Sequence, residues 1–135
     1  MVDANHAYNL KDALYVGKGL DELDIYWFEE PVAPEDYNGY RELKKNILTS
    51  VAGGEAEFTK YGWNKLITNE CIDIAQPEVC GLGGITEYLK IAAIAQANFI
   101  PVVNHVWGSA VSIACLLYTS PSPRDLSSSR MPSSA

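Results

Sequence analysis

Five short apolar runs, each closed by a polar residue and most followed by a helical pattern, divide the first 105 residues. Met1-Val2 ends at Asp3, Ile25-Tyr26-Trp27-Phe28 at Glu29, Val51-Ala52-Gly53-Gly54 at Glu55, a run from Ile72 to Pro77 at Glu78, and Pro101-Val102-Val103-Asn104 at His105. The steps between these closing residues are 26, 26, 23 and 27. Between them lie segments of 3.6-residue periodicity, which predict helices over 10–23, 36–46, 60–69 and 85–96. The first has Asn9 as N-cap, with Asp12 three residues later at a capping-box position. In the second, Tyr37, Tyr40 and Leu43 lie on one side and Arg41, Glu42, Lys44 and Lys45 on the other. The fourth places Ile85, Tyr88, Leu89, Ala92 and Ala95 on its inward face. Strands are predicted over 25–29, 47–52, 71–76 and 99–104, with Met1-Val2-Asp3 as the end of an earlier one.

Strand and helix alternating at this period make an α/β protein with parallel strands. The arrangement expected is a partial (β/α)8 barrel of about five consecutive βα units. A complete barrel takes roughly 250 residues, and this chain has 135. Its abrupt start inside an apolar strand points to truncation at the N-terminus. From about Cys115 the composition turns Ser/Pro-rich, so residues 1–114 read as a barrel fragment and 115–135 as a disordered, non-native tail. Ser109 is a suitable N-cap for one more helix.

The net charge of −7 and a pI of about 4.7 argue against a nucleic-acid partner. No apolar run approaches the ~18 residues of a membrane span, and the first twenty residues hold no signal core. A soluble, cytoplasmic protein is expected. Cys71, Cys80 and Cys115 lack metal-ligand spacing and read as reduced thiols without assigned chemistry.

The closing residues carry the chemistry, because βα folds place ligands at the C-terminal ends of their strands. Asp3, Glu29 and Glu55 would share one rim and repel one another without a cation between them. Hard oxygen ligands select Mg2+, with Mn2+ or Ca2+ as alternatives. Any one of the three could be a solvated cap; their register across three units favours the metal. Strand parity puts Glu29 and Glu30 on opposite faces, so one of the two reaches the site, and spacing does not say which. His105 ends a strand on the same rim and suits a general base. Glu78, one unit earlier, could orient its imidazole, although a surface role explains its spacing equally well.

Taken together, Val2-Asp3-Ala4-Asn5-His6, Trp27-Phe28-Glu29-Glu30-Pro31, Ala52-Gly53-Gly54-Glu55, the 76–84 segment ending Gly81-Leu82-Gly83-Gly84, and Asn104-His105-Val106-Trp107-Gly108 resemble the mandelate racemase/muconate lactonizing enzyme group of the enolase superfamily, in particular its sugar-acid members. The resemblance covers about residues 1–114. It implies Mg2+ on Asp3, Glu29 and Glu55, which selects Glu29 over Glu30, and acid/base work by His105 with Glu78 in place of the family's aspartate. Asn5 falls where the family has a polar residue close to metal and substrate. The implied activity is abstraction of the proton α to the carboxylate of a small sugar acid or its lactone, leading to cycloisomerisation or dehydration. A racemase or epimerase and a non-catalytic half-barrel are the alternatives. The resemblance also implies a second base and an eighth-strand acid outside this chain; a homo-oligomeric parent is expected, and five of eight strands would expose unpaired edges and apolar helix faces, so the fragment alone is expected to be inactive.

Overall fold

The computed structural model describes residues 1–108 and 110–119. Within them β1 (Val2–Asp3), α1 (Leu10–Glu22), β2 (Trp27–Glu29), α2 (Tyr37–Asn46), β3 (Ser50–Gly53), α3 (Thr59–Thr68), β4 (Ile74–Ala75), α4 (Ile85–Ala97) and α5 (Ala110–Thr119) follow in order. The four strands form one parallel sheet in the order β1-β2-β3-β4, each joined to the next through a helix. The α/β reading with parallel strands is therefore borne out.

Register determines what each face carries. Val2 pairs with Phe28 and Phe28 with Val51, while Asp3 pairs with Glu29 and Glu29 with Ala52. Phe28 and Val51 are wholly buried in a core that includes Ala13 of α1, Leu43 of α2, Trp63 of α3 and Tyr88 of α4. The adjacent row, Asp3 and Glu29, points to the other face because successive strand residues alternate. The packed core thus holds the sheet while its opposite face presents the acids.

Side-chain caps set where the elements stop. Asn9 Oδ1 accepts from the Asp12 amide at 3.1 Å and Asn9 Nδ2 donates to Asp12 Oδ2 at 2.7 Å, as the capping-box pattern predicts. Asp36 Oδ1 accepts from Gly39 N–H at the start of α2. Asn46, Asn69 and Asn98 each turn a side-chain amide back onto the carbonyl four residues earlier, covering the exits of α2, α3 and α4.

Several predicted boundaries move, each for a local reason. The strand expected over 47–52 begins only at Ser50, because the Asp21 carboxylate takes the amides of Leu48 and Thr49 before a ladder can use them. The strand expected over 71–76 contracts to Ile74–Ala75; Cys71 N–H donates to the Leu66 carbonyl, while the Asp73 carboxylate accepts from Val51 N–H. The fifth strand, expected over 99–104, is reduced to isolated parallel bridges, Ala75 with Val102 and Glu78 with His105. Phe99 has φ +59, and Pro101 has no N–H to give, so a continuous ladder cannot form. On α4 the buried row is Tyr88, Ile91, Ala92 and Ala95; Ile85 and Leu89 are exposed, so the inward face is rotated from the expected one. Helix α5 runs through the tail boundary expected at 115. Ser109 and residues 120–135 lie outside the described residues.

Gly54, at φ +117, lies against the ring of Trp63, which is completely buried. A Cβ there would overlap the indole as well as strain the backbone. Gly54→Ala is expected to cost about 2–4 kcal/mol, combining a left-handed residue with overpacking; chemical unfolding of the two chains measures it.

Candidate active site

The C-terminal ends of the strands gather the acids. Asp3 and Glu29 are direct register partners. Asp3 Oδ1 accepts from the Asn5 amide at 2.9 Å, in a tight turn where Asn5 and His6 both have positive φ. Asn5 is exposed beside that carboxylate. Glu29 is buried, and its Oε2 accepts from Trp27 Nε1 at 2.9 Å, a contact between residues i and i+2 on one strand face. Glu55 lies three residues beyond Ala52, the register partner of Glu29. Its Oε2 is 2.9 Å from His105 Nε2.

Glu78 and His105 are brought together by the parallel bridge between them. Glu78 Oε2 lies 3.1 Å from His105 Nδ1 and also accepts from Trp107 N–H at 2.9 Å, while its Oε1 accepts from Cys80 N–H at 3.0 Å. Three polar groups therefore fix this carboxylate, and the imidazole is spanned by Glu78 on one nitrogen and Glu55 on the other. The extra methylene of Glu relative to Asp does not prevent the contact.

Glu30 is the residue that spacing alone did not assign a function. It follows β2 at φ +40, is 2% exposed, and forms an ion-pair contact with His6 Nε2. Its side chain lies near Gly53 and so does the hydroxyl of Tyr40, on the helix side of the sheet, opposite Glu29. Burial, followed by the charges of Glu55, Asp3 and Glu29, pushes its carboxyl up to about 8. Burial and the neighbouring Glu30 also raise the Tyr40 phenol. The His6 partnership had no signal in spacing, because it depends on the left-handed turn at Asn5 and His6.

Asp3, Glu29 and Glu55 supply hard oxygen donors, and the raised Glu30 registers the negative field they create. Among the described residues no three His, Cys, Asp or Glu side chains converge closely enough to hold a metal as they stand. One Glu55 oxygen, Oε2, is held on His105 Nε2. The donor set thus fits a divalent cation in chemistry. Cys71 is a buried free thiol raised to about 11 by burial, and Cys80 is a free thiol near Ser112 Oγ; the side chain of Cys115 lies outside the described residues. Among the described residues no helix is long and apolar enough to cross a membrane.

A family model described as the enolase C-terminal domain-like family matches residues 1–130. The chain belongs to that family. This enolase-family chain is 40% identical over 117 residues to a D-galactarolactone cycloisomerase of Agrobacterium fabrum, covering 87% of the chain and 31% of that protein. Among solved structures it is similar to a 3,6-anhydro-D-galactonate cycloisomerase from Zobellia galactanivorans, with 45% identity and a TM-score of 0.85 over 87% of this chain and 34% of that one. It is also similar to an L-talarate dehydratase from Polaromonas sp. JS666 complexed with Mg and L-glucarate, at 28% identity and a TM-score of 0.78, covering 85% and 32% of the two chains. The enolase-family chain spans about a third of the length of these relatives.

Proposed function

We propose that this chain is the metal-binding and His-base portion of an enzyme that removes the proton α to the carboxylate of a sugar acid or its lactone. The observation that carries the reading is His105, held between Glu78 and Glu55 at the rim where Asp3 and Glu29 also end their strands. Asp3, Glu29 and Glu55 would hold Mg2+, and Asn5 would contact the substrate. When bound, the cation supplies Lewis-acid stabilisation of the negative charge that develops on the substrate carboxylate.

The residues of this chain do the proton chemistry. Glu78, pinned by the Cys80 and Trp107 amides, accepts from Nδ1–H of His105 and sets the tautomer, so that Nε2 faces the rim as the basic atom. Once Nε2 has taken the α-proton, Glu78 balances the imidazolium charge without taking the proton itself. Loss of a β-leaving group then gives a cycloisomerase or dehydratase; the names of the relatives favour these outcomes over racemisation.

The reading is tested by exchange of the α-proton of sugar acids in deuterated water, using this segment within a protein of the relatives' length. Exchange should require Mg2+ and fall by about 10²–10⁴ in His105→Asn; exchange that survives that substitution would remove His105 as the base. Residues 1–135 alone are expected to show no turnover, and turnover by the purified chain would contradict this.

A further inference from the structure

At the opposite end of the sheet from the acidic rim, the exits of α2, α3 and α4 enclose a cleft of about 410 Å3. Arg41, Lys44 and Lys45 of α2 line one side, Glu70 and Asn98 follow α3 and α4, and Ile67 and Ile100 complete the lining. Three of the chain's ten Lys and Arg residues are thus gathered here, in a protein with a net charge of −7.

The cations are not equally committed. Lys44 Nζ is fixed on the Ile72 carbonyl at 2.9 Å and on Asp73 Oδ1 at 3.1 Å, which makes it a rigid part of the wall. Among the described residues Lys45 pairs only with Glu42 one turn earlier, on an exposed surface where such pairs are weak and readily exchanged. Among the described residues Arg41 has no carboxylate within ion-pair distance. One of its Nη groups donates to Asn38 Oδ1, and its buried Nε has no hydrogen-bond partner. Among the described residues its other Nη makes no hydrogen bond, and a planar guanidinium suits an oxyanion because it can direct parallel N–H donors at it. Helix C-termini carry partial negative charge that would oppose an anion. Here the side-chain amides of Asn46, Asn69 and Asn98 cover a last-turn carbonyl in each helix.

From this arrangement we infer that the cleft binds the phosphate of a small hydroxylated phosphate monoester. The phosphate meets Arg41 and Lys45, with Lys44 adding fixed positive charge. Glu70 on the far side disfavours a bare second anion and suits the hydroxyl groups of the attached carbon chain, which donate to its carboxylate. The site is separate from the proposed proton chemistry and needs no metal.

Inorganic phosphate and glycerol 3-phosphate are the probes, titrated into the 135-residue chain in EDTA against sodium chloride of equal ionic strength and followed by calorimetry and amide NMR. Glycerol 3-phosphate should bind several-fold more tightly than phosphate, with shifts at the amides around Arg41, Ile67–Glu70 and Asn98–Ile100. Affinity should fall about tenfold in Arg41→Ala and less in Lys45→Gln. Arg41→Lys, which keeps the charge and loses the fork, should recover only part of the loss and serves if Arg41→Ala fails to fold. Binding no stronger than in chloride would overturn the inference and leave the three cations as neutralisers of helix ends. So would shifts confined to the acidic rim, or affinity unchanged in both Arg41→Lys and Lys45→Gln.

Discussion

Replacing Glu78 by Ala should destabilise the chain by about 2–4 kcal/mol, because the amides of Cys80 and Trp107 both lose their acceptor and each such loss costs about 1–3 kcal/mol. Glu78 is only 9% exposed, so water cannot easily take the place of its carboxylate. The effect should concentrate in the 101–108 segment, which is joined to Ala75 and Glu78 by isolated bridges rather than a ladder. Glu78→Gln keeps a carbonyl oxygen and should lose less, while turning an N–H donor towards at least one group that expects an acceptor. Urea unfolding with hydrogen exchange at the amides of residues 102–107 measures both effects. A loss below about 0.5 kcal/mol would mean that solvent satisfies those amides in the native chain.

The second large effect concerns the acids. In EDTA, the triple variant Asp3→Asn, Glu29→Gln, Glu55→Gln should be more stable than the unchanged chain at pH 7, since it removes three like charges from one rim. The Glu30 carboxyl should move down from about 8. The sign follows from linkage: Glu30 has its folded pKa above its ordinary value of 4.5, so its contribution is fully present below about 4.5 and is lost as pH rises towards 8. The unchanged, metal-free chain should therefore lose stability over that window, and the triple variant should lose less. Millimolar Mg2+ should reverse the order at pH 7. A cation at 100 times its dissociation constant adds about 2.7 kcal/mol to a chain that binds it and nothing to one that does not. Thermal melts of both proteins with and without Mg2+ decide the matter; equal responses to Mg2+ would remove the rim as the metal site.

Much of this arrangement was legible because it depends on periods. The βα repeat, the Asn9 cap and the inward row of α2 are local patterns, and the common rim of Asp3 and Glu29 follows from counting units. Other features depend on contacts between residues far apart in the chain. Asp21 shortens β3 from 27 residues away, and Asp73 binds the Val51 amide from 22 away. No window of sequence contains either pair. The fifth strand failed for a reason that was visible, Pro101, whose missing donor was outweighed in the reading by the apolar run around it. The helix-side burial of Glu30 was half legible: parity separates it from Glu29, but its pairing with His6 needs two consecutive left-handed residues that nothing in Asn5-His6 compels. The proposed metal binding by Asp3, Glu29 and Glu55 and the proposed acid/base role of His105 rest on the family pattern together with this geometry.

The buried indole beneath Gly54 has a practical consequence when set beside the chain's other two tryptophans. Trp27 donates its ring N–H to Glu29, Trp63 lies under the glycine that precedes Glu55, and Trp107 gives its amide to Glu78. Two of the chain's three tryptophans are therefore hydrogen-bonded to a carboxylate of the rim and the third packs against the residue before another, Trp63 in an apolar setting and Trp107 largely in water. Intrinsic emission becomes an unlabelled optical gauge of that rim, with the colour of the change indicating which of its corners has moved.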